Sequence, residues 1–260
     1  MSEMLDSLRA YYRASGLTPE EFSCARRSSC AARGGGISGP RQAFVGEGYE
    51  HRAVPRLLFV SLDPGSTDET DCRTTDEFRH WQRTNYNVDH RSFHKGRHWY
   101  LTHRMALQFL APFLPGAGIR DIHQYFAHTN SAKCCMNKSG RRMADNTLFD
   151  NCRGHLAGEI VALQPDVVVT QGRWAATGVG HAFQVSLPAP LATAPEIVDL
   201  AGRSVLWFHA YHPRCFGPFR NQMKTQFPAW AATIRAHFAS EFQSRVAADS
   251  FTAATAGRLP

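Results

Sequence analysis

Leu57-Leu-Phe-Val-Ser-Leu-Asp63-Pro64-Gly65 is an apolar run that ends abruptly in an acid, a proline and a glycine. A short run of this kind, apolar at successive positions, reads as a strand buried on both faces of a parallel sheet. Pro64 and Gly65 stop it and turn the chain. Asp63 is left at the strand's carboxyl end, where open α/β sheets build their sites. An Asp before Pro-Gly is also ordinary turn chemistry, so capping and function both remain open for it here.

Three further strands are expected outward from this one, at Tyr125-Phe-Ala-His-Thr-Asn130, within Pro165–Gly172, and at Ser204–Ala210. Between and around them, apolar residues recur at helical spacing. Leu148, Cys152, Leu156, Ile160 and Leu163 mark the clearest helix, 145–163, and others are expected at 3–14, 75–84, 103–113, 173–182 and 222–243. Strands that alternate with helices imply an α/β fold, a central and mainly parallel four-stranded sheet with helices on both faces, as a three-layer α/β/α sandwich. Residues 1–245 read as a single domain. Residues 66–98 form a polar insertion within it, and 246–260 read as a flexible tail. Asp63, Asn130, Gly172 and His212 then fall at carboxyl ends of strands and share one rim if the sheet is parallel.

Lys and Arg number 29 against 22 Asp and Glu, a net charge of +7, in a chain of 260 residues that is 43% hydrophobic. That balance supports a sizeable core and favours a polyanionic partner such as nucleic acid. No apolar stretch approaches the roughly 20 residues that span a bilayer, and the first residues lack the pattern of a secretory signal. A cytoplasmic protein with no membrane partner is expected. In that setting seven cysteines suggest metal ligands or free buried thiols rather than disulfides.

An Asp, an Asn and a His on one rim suit hydrolysis of a bond whose leaving group departs as an anion. Asp63 can orient water and stabilise a developing cation. Asn130 offers a donor and an acceptor on one planar amide, fitted to a pyrimidine's Watson–Crick edge. His212 can donate to an oxygen gaining negative charge.

With these residues placed, the chain resembles the uracil-DNA glycosylase superfamily, and most of all its iron–sulfur branch. Ser61-Leu-Asp-Pro-Gly65 is similar to the first motif, Thr129-Asn-Ser-Ala-Lys-Cys134 to the TNVVKC segment, and His209-Ala-Tyr-His-Pro213 to the HP motif. Cys152-Arg-Gly-His-Leu through Gln171-Gly172 follows the same branch, so the resemblance covers roughly residues 20–240. It implies a monofunctional DNA glycosylase, acting as a monomer, that flips a nucleotide out of the duplex, hydrolyses its N-glycosidic bond and needs no catalytic metal. Asp63 and His212 take the catalytic positions and Asn130 the base-reading one. Trp99, Tyr100 and Phe93 are candidates for the aromatic residue that stacks on the base. Phe216 is the candidate wedge into the vacated gap, with Arg214 of the same loop and Lys133 of the Asn130 segment as DNA contacts.

The resemblance also implies a [4Fe–4S] cluster on Cys24, Cys30, Cys134 and Cys152. Five residues separate Cys24 from Cys30, where relatives have two, and Cys135 adjoins Cys134 as an alternative ligand. Buried metal-free thiols and a zinc ion remain alternatives. The polar insertion replaces a short segment that borders the base pocket in relatives. Uracil is one expected substrate, as in repair. A hypermodified pyrimidine, hydroxymethylated or glucosylated as in phage DNA and attacked in antiviral defence, is another. A non-catalytic DNA-binding protein on the same fold is the third reading.

Overall fold

The computed structural model describes residues 3–34, 36–65, 73–84, 97–136, 144–187 and 194–256. Phe93, Cys72 and most of the 66–98 insertion lie outside the described residues. The elements run α1 (Glu3–Ala14), α2 (Arg27–Gly34), β1 (Phe44–Val45), α3 (Glu47–Glu50), β2 (Leu57–Ser61), α4 (Thr75–Thr84), α5 (His98–Leu110), β3 (Phe126–Asn130), α6 (Asn146–Leu163), β4 (Val167–Gln171), α7 (Arg173–Phe183), β5 (Glu196–Asp199), β6 (Ser204–Ala210), α8 (Phe216–Thr225) and α9 (Phe227–Ala256).

The strands form one mixed sheet in the order β1-β3-β2-β4-β6-β5. The inner four are mutually parallel, with Ser61 opposite Asn130 and Gln171 opposite Ala210. β1 and β5 close the edges antiparallel. The sheet therefore has six strands, not the four expected. The two extra strands lack the signal that exposes a central strand. β1 has only two residues, and β5 is solvent-exposed at three of its four positions.

Alternation along the strands supplies two cores. Leu57, Phe59, Phe126, Val169 and Phe208 pack on one face against Met105 and Phe109 of α5 and Phe227 and Trp230 of α9. Leu58, Val60, Ala127, Val168 and Trp207 pack on the other against α1, α6 and α7, through Leu8, Leu156, Ile160 and Val179. Burial on both faces explains why β2 and β4 carry continuous apolar runs. Each such aliphatic or aromatic side chain contributes about 1.5–3 kcal/mol on burial.

Three helices differ from expectation in extent. α5 begins at His98, five residues early. The segment expected at 222–243 is two helices, α8 and α9, and α9 runs to Ala256 through what was expected to be a frayed tail. Its alanine-rich sequence has high helix propensity. α6 starts where its cap dictates, with the Asp145 carboxylate accepting from the Thr147 N–H at 2.9 Å. Among the described residues, no helix is long and apolar enough to cross a membrane.

Candidate active site

Because β2, β3, β4 and β6 are parallel, their carboxyl ends lie on one rim. Asp63 follows β2 by two residues, Asn130 ends β3, Gly172 follows β4, and His212 follows β6 by two. The structure thus brings together the residues the sequence placed there. Beyond the strand ends the rim stays pinned. The Ser131 N–H donates to the Ser61 carbonyl at 2.9 Å, the Ala132 N–H to the Leu62 carbonyl at 2.9 Å, and the Ser131 hydroxyl reaches both carbonyls. The Asp63 and Asn130 turns are therefore held to each other.

Asn130 is only 6% exposed. Its side-chain amide makes no hydrogen bond among the described residues, yet it is not sealed off from solvent. A planar amide placed there can offer a donor and an acceptor to whatever meets the rim.

His212 is fixed in one tautomer. Its Nδ1 accepts the Arg214 backbone N–H at 3.1 Å, which leaves the proton on Nε2 and makes that atom a donor. Burial first, then the nearby His98 and Arg214, pushes its pKa down to about 3. The ring is a neutral hydrogen-bond donor at ordinary pH. Gly172 makes room for it. This residue has φ +96°, and a Cβ there would stand 3.0 Å from the His212 Cβ. Arg214 also reaches back toward the Asp63 turn, since a Cβ on Gly65 would meet its guanidinium at 3.7 Å.

Four rim residues escaped the sequence reading. The Ser61 hydroxyl lies 2.8 Å from His128 Nε2, 3.0 Å from His98 Nε2 and 2.5 Å from Gln171 Oε1. His98 Nε2 also meets Gln171 Oε1 at 2.9 Å. The His98 ring stacks on His212, with centroids 5.0 Å apart and planes 17° apart. Burial pushes His98 down to about 4, and drives His128 well below its usual range. The signal for Ser61, His128 and Gln171 is their period: each alternates with Phe59, Phe126 and Val169 on the α5 face of the sheet. His98 carried no such signal, because it enters the site from α5.

The aromatic candidates are placed differently from one another. Trp99 packs edge-on against Phe44, Phe126, His103 and His128, and Tyr100 is half-buried against the same core. Phe216 is 41% exposed at the start of α8, with the Arg220 guanidinium 4.6 Å above its ring. Lys133 requires a correction. It was expected to contact DNA, yet it is 1% exposed. Its ammonium pairs with the Glu159 carboxylate and bonds Thr129 Oγ1 at 2.7 Å. Glu159 also accepts from the Tyr12 and Thr129 hydroxyls, so Lys133 neutralises a buried acid and is not offered to a phosphate.

Cys24, Cys30, Cys134 and Cys152 line one cavity together with Arg26, Arg27 and Lys133. Cys135 is buried elsewhere. Burial and the other three thiols raise Cys134, and burial raises Cys152 to about 11. N–H donors already point at three of the sulfurs: Arg26 backbone N on Cys24 at 3.4 Å, Asn151 Nδ2 on Cys30 at 3.2 Å, and Lys133 backbone N on Cys152 at 3.4 Å. Among the described residues, no group of three or more His, Cys, Asp or Glu is arranged to hold a metal ion. The four thiols line this cavity with N–H donors and cations beside them, the kind of donor set a thiolate-held cluster uses.

No protein-family model matches this chain, and no curated protein matches it. Fold and rim together define an α/β protein with polar side chains gathered at the carboxyl ends of its parallel strands.

Proposed function

We propose that this protein is a monofunctional DNA glycosylase on a uracil-DNA glycosylase-like fold, which hydrolyses the N-glycosidic bond of a flipped pyrimidine and leaves an abasic site. One observation carries the reading. The Asn130 amide, 6% exposed and without a hydrogen bond among the described residues, stands on the same rim as Asp63 and a neutral, Nε2-protonated His212. In this reading the amide takes the Watson–Crick edge of the base. The His212 N–H donates to the pyrimidine oxygen that gains charge as the bond from the sugar carbon to the base nitrogen breaks. Asp63 orients the water that adds to that carbon and faces the positive charge developing there. The added water gives up one proton to solvent as it becomes the sugar hydroxyl, and the base leaves as an anion and takes a proton from solvent.

Arg214 and the exposed Phe216 follow His212 closely in sequence and would contact a duplex docked on this rim, a partner the net charge of +7 favours. Cys24, Cys30, Cys134 and Cys152 would hold a [4Fe–4S] cluster. Its contribution would be structural, tying the N-terminal segment and α6 to the turn after Asn130. The protein is proposed to act as a cytoplasmic monomer.

The test is a duplex oligonucleotide with one uracil, or phage DNA with modified pyrimidines, incubated with protein and then treated with alkali. Strand breaks at the target base are expected, and both Asp63→Ala and His212→Ala should lower turnover by about 10²-fold or more. Full activity in both variants would remove the assignment. Binding with no breaks on any substrate would leave a non-catalytic DNA-binding protein.

A further inference from the structure

β6 outruns its edge partner. β5 pairs with it from Ser204 as far as Trp207, which stands opposite Glu196, whereas β6 continues to Ala210. The register would next set Pro195 against Phe208, and a proline has no N–H to extend the ladder. On its other side β6 stays paired to its end. Ala210 stands opposite Gln171, and its carbonyl accepts the Gly172 N–H at 2.8 Å. Backbone groups of successive strand residues point to opposite sides. Since the Ala210 carbonyl faces β4, the His209 carbonyl and the Tyr211 N–H face the side on which β5 has ended.

Gln222 of α8 fills that side. Its Nε2 donates to the His209 carbonyl at 3.1 Å, and its Oε1 accepts the Tyr211 N–H at 2.8 Å. The side chain is fully buried. An amide carries a donor and an acceptor in one plane, so Gln222 makes the pair of bonds that a residue of a neighbouring strand would make. β6 is thus held on both sides at the last residues before His212. The start of α8 holds the turn that follows. The Cys215 N–H, at the N-cap, donates to the His212 carbonyl at 2.8 Å, and the Arg214 N–H to His212 Nδ1.

We propose that Gln222 is a positioning residue for His212. By clasping the end of β6 it fixes the direction of the His212 Nε2 donor, and it ties that donor to α8, the helix that carries the exposed Phe216 and Arg220. The effect on turnover rests on the glycosylase reading, whereas the clasp does not. Gln222 is buried away from any docked duplex, so its loss acts on bond cleavage and not on duplex affinity.

The test uses two variants of the full chain. Gln222→Met keeps the length of the side chain and removes both bonds. Gln222→Glu keeps an acceptor for Tyr211 and, as a carboxylate, has no donor for His209. Single-turnover release of the base should slow about 10- to 100-fold in Gln222→Met, since a displacement approaching 1 Å costs on the order of 10², with the duplex Kd unchanged. Gln222→Glu should fall between that variant and the native chain. Proton–nitrogen correlation spectra read the same geometry without turnover. Native His212 should show one protonated and one bare ring nitrogen, and folded Gln222→Met a mixture of the two tautomers. Hydrogen exchange of the unaltered chain needs no variant: the Tyr211 N–H should exchange as slowly as amides within β6, although it lies beyond the last strand pair. Native release and native His212 signals in folded Gln222→Met overturn the proposal. A loss confined to duplex affinity overturns it as well, and so does a Tyr211 N–H that exchanges like a loop amide. Release of no base by the native chain, with the His212 and Tyr211 signals as expected, removes the glycosylase reading while supporting the positioning of His212 by Gln222.

Discussion

Gly172→Ala isolates the geometry of the proposed donor without touching it. Gly172 has φ +96° and ψ 159°, a region open essentially only to glycine, where any other residue costs about 1–3 kcal/mol. The new methyl would also stand 3.0 Å from the His212 Cβ and 3.4 Å from Leu62 Cδ2. The former is closer than ordinary carbon contact, so the His212 turn must yield by some tenths of an ångström. We expect the melting temperature to drop by roughly 2–12 °C, at about 2–4 °C per kcal/mol for a chain of this size. Turnover on the preferred substrate should fall about 10- to 100-fold, because a displacement approaching 1 Å costs on the order of 10². Gly154→Ala, in the middle of α6 with open space around the new methyl, is the control and should stabilise by about 0.5–1 kcal/mol. Thermal melts and single-turnover kinetics on both variants decide it. Gly172→Ala with unchanged melting and unchanged turnover would refute the placement of His212 against the β4 turn.

Three other outcomes are expected. The folded pKa of His98 lies near 4, that of His212 near 3, and that of His128 well below 6.5. An unfolded chain takes up these protons below about pH 6.5 and the folded one does not. Stability is therefore complete above pH 6.5 and falls as the pH drops from there toward 4, by at most about 1.4 kcal/mol per pH unit for each histidine. Urea titrations between pH 7 and 4.5 check this, and a flat profile contradicts it. Lys133→Met should destabilise by about 3–5 kcal/mol, because it leaves the Glu159 carboxylate buried without its counter-ion; a melt unchanged within 2 °C contradicts the pairing. Anaerobically purified protein should be brown and carry iron, and Cys134→Ser should lose most of it while Cys135→Ser keeps it, since Cys134 lines the cavity. Equal iron in both variants contradicts the cluster assignment.

The inner sheet was legible in the sequence because strands buried on both faces write themselves as apolar runs. β2 and β4 are buried at every residue, and the turns after them place Asp63 and Gly172. The edge strands were not legible, because an edge needs neither length nor apolar character. Asp63, Asn130 and His212 could be found because each stands just past or at such a run. His98 and His128 could not. His98 arrives from a helix whose start lies beside the polar insertion, and His128 looks like one polar residue within a strand until Ser61 and Gln171 are seen beside it. Lys133 misled for the opposite reason: its neighbours in sequence belong to a site, but its ammonium belongs to Glu159, 26 residues away.

If this rim breaks a glycosidic bond, the product itself carries the mark of it. Mass spectrometry of a duplex with a single target pyrimidine, before and after incubation with the full chain, should show loss of the free base and gain of one water at that position, with the backbone intact until alkali is added. The same duplex bound but unchanged in mass, across uracil and the modified pyrimidines, would contradict this reading.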